Sequence, residues 1–270
     1  MKIASTISTY PTPFGPIVSK DGNLEANLQL LQKYGYRGAD LFVKDTDEKT
    51  LKLYRKMFAD YGQQVVTLIA IFLGENGVKL SQTDPQLRKR DIDLFKHQLD
   101  NVKTIGAKGI ALGFIRGSHS ENETESDALK RIAESLHVLG EYATSIRTTI
   151  MLEPINRYEI NTLNRATDAV DFIKSNQLKG VSLLLDLFHM NIEDQSIYDS
   201  IRYAKGLISN IHTPDSNRYA IGEGHFDFPQ IISALRDAEY DDFMTLEAFA
   251  PNPEQTLKQS AENLLPLLLR

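Results

Sequence analysis

The sequence contains no cysteine and no tryptophan. The missing thiols remove disulfides, thiolate metal sites and cysteine nucleophiles from consideration together. Long apolar runs are missing too: the longest, Leu264-Leu265-Pro266-Leu267-Leu268-Leu269, falls far short of the ~20 residues a membrane helix needs and is broken by a proline. Met1-Lys2-Ile3-Ala4-Ser5-Thr6-Ile7 is too short in its apolar part for a secretion signal and reads as a first strand, so a cytoplasmic protein with no membrane partner is expected. Positive charge is in deficit. With 30 Lys and Arg against 36 Asp and Glu the formal charge is −6, which leaves no surplus to meet a phosphate backbone, and nucleic acid is not an expected partner.

What is present is a chain of 270 residues with 41% hydrophobic content, enough to bury a large core within one barrel, and residues 1–270 read as a single domain. Apolar runs predict strands near Ile3 to Ile7, Gly38 to Val43, Val65 to Phe72, Gly109 to Phe114, Thr148 to Glu153, Val181 to Asp186, Leu207 to His212 and Phe243 to Glu247. Continuous runs of this kind suit strands buried on both faces. Between them, spacings such as Leu94, Leu99, Val102 and Ile105 predict helices. Asp84-Pro85 and Asn252-Pro253 are start signals, a capping side chain before a proline at the first helical position. Gly35, Gly62, Gly106 and Gly140 suit helix ends. Eight such repeats without a compositional break point to a (β/α)₈ barrel. No Gly-x-Gly-x-x-Gly follows the first strand, which argues against a dinucleotide-binding open sheet. Long rim segments follow strand one (Ser8 to Asp21), strand four (Ile115 to Ser126) and strand seven (Thr213 to Asp227), as expected where loops cover a site.

The last four predicted strands end alike. Ile150-Met151-Leu152 runs into Glu153, Leu183-Leu184-Leu185 into Asp186, Ile208-Ser209-Asn210-Ile211 into His212 and Met244-Thr245-Leu246 into Glu247. An ionised carboxylate at the rim of an apolar layer costs several kcal/mol unless a cation or donors meet it. The gaps of 33, 26 and 35 residues each match one strand-helix unit, so successive parallel strands would bring these groups to one point. Three carboxylates and an imidazole form a hard, oxygen-rich ligand set suited to one divalent ion, Mn²⁺ first, with Co²⁺ or Mg²⁺ as alternates. Four protein ligands in a six-coordinate sphere leave two places for adjacent oxygens of a sugar.

The residues flanking these ligands carry a resemblance. Glu153-Pro154-Ile155-Asn156-Arg157-Tyr158-Glu159, Asp186-Leu187-Phe188-His189-Met190-Asn191, His212-Thr213 with Asn217-Arg218 and Gly222-Glu223-Gly224, and Glu247-Ala248-Phe249 closely resemble the ketose 3-epimerases acting on D-tagatose and D-psicose, within the xylose-isomerase-like TIM barrels. The strong matches cover strands five to eight. The resemblance implies that Glu153, Asp186, His212 and Glu247 hold the metal and that Glu153 and Glu247 are the acid-base pair. In the family one carboxylate takes the C3 proton, the metal grips O2 and O3 of a cis-enediolate, and the other returns a proton to the opposite face. It further implies that Glu159, His189 and Arg218 bond the O1 to O3 end of a free ketose of the D-tagatose, D-psicose, D-fructose or L-ribulose class, and that the protein is a homodimer or homotetramer.

Each of those three has a simpler reading from sequence alone: Glu159 as a surface partner of Arg157, His189 as a satisfied loop histidine, and Arg218 as a solvated charge. Tyr10, Phe14, Phe114 and Phe249, on or just after strand ends, are candidates for the apolar wall of a sugar site, Phe249 foremost because it adjoins a ligand. Gly222-Glu223-Gly224 lacks a nearby lysine and reads as a hinge or close-packed turn. The chain departs from the family in lacking tryptophan, with Phe228 where the loop after strand seven often has one and Tyr219-Ala220-Ile221 in place of a segment ending in proline, changes that bear on which ketose is preferred. Competing functions on the same scaffold are a 1,2-aldose-ketose isomerase and an inositol or sugar-acid dehydratase. More distant are a non-catalytic sugar-binding protein and an abasic-site endonuclease.

Overall fold

Eight parallel strands close into one ring in the computed structural model, which describes residues 1–13, 15–44 and 46–269. The strands are β1 (Lys2–Ser8), β2 (Gly38–Phe42), β3 (Gln64–Ile69), β4 (Gly109–Leu112), β5 (Thr149–Leu152), β6 (Val181–Asp186), β7 (Ile208–His212) and β8 (Phe243–Leu246). Each pairs with its sequence neighbours and β1 pairs with both β2 and β8, so no strand edge is left open. The helices are α1 (Leu24–Lys33), α2 (Glu48–Asp60), α3 (Ile71–Glu75), α4 (Pro85–Ile105), α5 (Glu125–Ser145), α6 (Ala166–Ser175), α7 (Leu187–Glu193), α8 (Ile197–Tyr203), α9 (Phe228–Asp237) and α10 (Pro253–Leu268). Their apolar stripes bury Leu28, Leu51, Phe95, Leu136, Val170, Ile231 and Leu257 against the outside of the barrel. This is the expected (β/α)₈ architecture.

The start signals act as read. Asp84 accepts hydrogen bonds from the backbone of Gln86 and Leu87 to open α4, and Asn252 accepts from Gln255 to open α10. Two expectations need correction. The apolar runs beyond β3 and β4 are not strand: Ile71–Glu75 coils into α3 and Phe114–Arg116 forms one 3₁₀ turn. Gly140 does not end a helix but lies within α5, where a Cβ would stand 2.0 Å from the Lys179 carbonyl oxygen. Its bare backbone lets α5 press directly on the turn before β6.

The barrel lumen is layered. Ala4, Val66 and Phe243 pack near the N-terminal ends of the strands, and Ala111, Met151 and Leu184 form a second apolar cluster. Between opposite walls runs a buried polar layer. Asn210 on β7 donates to Asp40 on β2 at 2.8 Å and to Thr67 on β3 at 2.9 Å, and accepts from Thr245 on β8 at 3.1 Å. Among the described residues no helix is long and apolar enough to cross a membrane.

Candidate metal centre

The register sets the ligands level: Asp186 lies opposite His212, and His212 opposite Thr245, two residues before Glu247. One ligand atom from each of Glu153, Asp186, His212 and Glu247 lies within 4.8 Å of every other. His212 Nδ1 is 3.6 Å from Glu153, 3.5 Å from Glu247 and 4.0 Å from Asp186, all to carboxylate oxygens. Asp186 and His212 are fully enclosed and the two glutamates nearly so.

The electrostatics show a site short of positive charge. Burial, with the nearby Glu247 and Asp186 charges, pushes the Glu153 carboxyl up to about 8. Burial likewise lifts Asp186 to about 6. Burial would raise Glu247 too, yet His212 and Arg218 hold it down at about 2. Against its own burial, His212 is drawn well above its ordinary range by Glu247 and Asp40. His212 Nδ1 is buried without a hydrogen-bond partner and faces three carboxylates. An orphaned imidazole nitrogen among buried carboxylate oxygens is the donor set of a divalent cation, and these residues fit one.

Sequence reasoning missed what stands behind the histidine. His212 Nε2 lies 2.9 Å from Asp40 Oδ2, and the same oxygen receives Asn210 Nδ2 at 2.8 Å. A carboxylate there holds one proton on Nε2, so that the nitrogen left to lose its proton to an incoming cation is Nδ1. The available signal was a single charge inside the apolar run Gly38-Ala39-Asp40-Leu41-Phe42. Asp40→Asn is expected to weaken Mn²⁺ binding by roughly 10- to 100-fold, the usual scale for such a partner. Calorimetric titration of the metal-free protein checks it.

Arg116 is the other residue missed. Fully buried at the end of the 3₁₀ turn, its guanidinium donates to the carbonyls of Gly113 at 2.9 Å, Glu153 at 2.8 Å and Thr162 at 2.8 Å. It ties the segment after β4 to the one after β5 beneath a ligand. Burial lowers it to about 10, so it stays charged near neutral pH.

The remaining candidates converge unevenly. Arg157 does not pair with Glu159; it forms a forked bond with Glu193 at 2.7 to 3.1 Å. Glu159 instead accepts from Asn156 at 2.9 Å and lies 3.7 Å from Arg218. Asn156 also meets His189 Nδ1 at 2.8 Å, while His189 Nε2 is 3.6 Å from Asp186. Burial and the Arg218 charge push His189 down to about 4, so it is neutral. Arg218, at a positive φ of 64°, donates to Glu247 at 2.9 Å and lies over the Phe188 ring at 4.6 Å. It is not a solvated charge. The following loop is the close-packed turn expected: Asp215 accepts from the backbone of Ser216, Gly222 and Phe226, and a Cβ on Gly224 would stand 2.1 Å from its carboxylate.

A cavity of about 870 Å³ opens over Glu153, His212 and Glu247. Glu159, His189, Arg218, Phe114 and Phe249 line it; Tyr10 is half-buried and lies outside the lining. Phe14 falls outside the described residues. Phe228 is buried at the start of α9, away from the lining.

A closed parallel barrel with charged groups gathered at the C-terminal ends of its strands defines the class of (β/α)₈ proteins that do chemistry at that face. The particular family follows from comparison: the chain belongs to the xylose isomerase-like TIM barrels, whose family model matches residues 28–267. It is 29% identical over 235 residues to an L-ribulose 3-epimerase of Mesorhizobium japonicum, covering 86% of this chain and 77% of that one. It is 28% identical over 246 residues to a D-psicose 3-epimerase of Agrobacterium fabrum, covering 89% and 81%. A solved L-ribulose 3-epimerase superimposes with a TM-score of 0.85 at 23% identity, covering 99% of this chain and 94% of the other, a likeness of fold.

Proposed function

We propose that the protein is a divalent-metal-dependent isomerase that inverts C3 of ketoses. The observation that carries this reading is the pair of glutamates at the ends of β5 and β8, flanking His212 Nδ1 at 3.6 and 3.5 Å and largely buried. Its relatives named as ketose 3-epimerases support it. Glu153, Asp186, His212 and Glu247 would hold the cation, Mn²⁺ first and Co²⁺ or Mg²⁺ as alternates. When bound, the cation supplies the Lewis acidity that makes a C–H beside a carbonyl removable.

The chain's own groups do the rest. Of Glu153 and Glu247, one takes the C3 proton as electrons move into the C2–C3 bond, and the other returns a proton from the opposite face. Arg218 and neutral His189 hydrogen-bond the sugar oxygens as negative charge builds on them, and Asn156 orients both His189 and Glu159. Phe249 offers an apolar face to the sugar. The test incubates Mn²⁺-loaded protein with D-fructose, D-psicose, D-tagatose and L-ribulose in D₂O. Deuterium is expected at C3 with formation of the C3 epimer. Deuterium entering at C1 or C2 instead, or loss of water, would replace this reaction with an isomerase or a dehydratase.

A further inference from the structure

From the shape of the cavity we infer that the substrate is a ketose carrying a second, uncharged ring on its C4 to C6 end. This inference rests on the C3-epimerase reading and names its substrate class. At about 870 Å³ the cavity stands near the top of the ~300–1,000 Å³ range of small-molecule pockets, well beyond what one hexulose fills. Away from the ligands, most of the lining comes from one stretch of the rim. All four metal-type ligands come from β5 to β8, whereas the added lobe is built from segments after β3 and β4, including Gly77, Gln82, Thr83, Ser118 and Ser120. A ketose gripped at its C1 to C3 end by the β5 to β8 half directs C4 to C6 toward that lobe.

The lobe's chemistry selects a neutral, hydroxylated occupant. Its wall mixes the apolar Ile71, Val78 and Ile115 with glycines and with the hydroxyl and amide groups of Ser81, Gln82, Thr83, Ser118 and Ser120, a surface matched to the alternating C–H and hydroxyl faces of a sugar ring. A Cβ on Gly77 would meet nothing within 4 Å. Arg131, the best anion ligand there, is already engaged with Glu123 and with the Ser81 carbonyl at 2.8 Å. Lys79 and Glu75 face the lobe with opposite charge. No concentration of positive charge awaits a phosphate. Phe114 and Phe249, 43% and 40% exposed, both line the cavity and offer aromatic surface suited to the C–H faces of pyranose rings.

The test uses the Mn²⁺-loaded protein and four sugars: D-fructose and D-psicose, and the disaccharides isomaltulose and lactulose, which carry a second ring on O6 and on O4 of a fructose unit whose C1 to C3 are free. Deuterium incorporation at C3 is followed by NMR, and saturation-transfer difference spectra report contact with the second ring. At least one disaccharide is expected to exchange with kcat/KM about tenfold or more above either monosaccharide, chiefly through a lower KM, with saturation transfer to its glycosyl protons. Exchange of the monosaccharides with no preference for either disaccharide would overturn this inference and leave the epimerase reading standing. Exchange of none of the four, nor of D-tagatose or L-ribulose run beside them, would overturn both.

Discussion

Glu153→Gln and Glu247→Gln are each expected to lower C3 proton exchange by ~10² to 10⁴, the scale on which a positioned acid or base acts. Glutamine keeps the length of the side chain and an oxygen that can still face a cation, but it cannot take up or deliver the proton. The two variants should fail alike in exchange and differently in structure. Glu247 also receives Arg218 at 2.9 Å, so Glu247→Gln frees that guanidinium from its charged partner and should raise KM as well. Among the described residues no arginine donates to the Glu153 carboxylate. Exchange into D₂O at saturating Mn²⁺, with bound metal measured in parallel, separates loss of proton transfer from loss of the ion. Full exchange in both variants would end the two-carboxylate mechanism.

The second large effect concerns metal and pH together. Glu153 titrates at about 8 in the fold, against ~4.3 when free, so folding retains a proton through that window. A carboxyl raised in this way contributes most below its unfolded value and its contribution is lost as pH rises through 8. Asp186, raised to about 6, and His212, also raised, act in the same direction. Glu247, lowered to about 2, acts oppositely at far lower pH, and His189, lowered to about 4, acts oppositely up to about pH 6.5, where the three raised groups together outweigh it. The Tm of the metal-free protein is therefore expected to fall between pH 5 and 8.5. Mn²⁺ at a thousandfold excess over Kd stabilises by ~4 kcal/mol, or roughly 8–16 °C for a domain of this size. That gain should shrink steeply toward pH 6, because the ion must displace protons from Glu153 and His212. Thermal melts across pH with and without Mn²⁺ check both slopes. A metal-free Tm that rises over this window would show that the ligand set is not buried as described.

The barrel and its ligand ring were legible because the same physics wrote them twice. A strand buried on both faces must be continuously apolar, and a ligand at its C-terminus then appears as the first break in that run, as at Glu153, Asp186 and Glu247. The short helices were not legible, since a buried run such as Val65 to Phe72 has no period to distinguish strand from the coil that begins at Ile71. Nor was the pairing of charges. Arg157 and Glu159 lie two residues apart, yet they do not pair: Arg157 reaches Glu193, 36 positions on, while Glu159 accepts from Asn156 and faces Arg218 from the loop after β7. Gly140 was misplaced for a similar reason: its role is set by the Lys179 carbonyl across the interface, which local spacing cannot contain. Asp40 left a trace in the sequence, but its meaning depends on an imidazole 172 positions later.

That long link bears on how such a site could be transplanted. The four ligand-bearing strands look self-sufficient, but the imidazole is aimed by a side chain from the opposite wall and locked through Asn210 to Thr67. Grafting the four ligands alone onto another scaffold would move the teeth of the clasp without its spring. The first half of this chain thus helps to build the candidate metal centre, and a sequence change in β2 or β3 can alter the aim of His212 at the far rim.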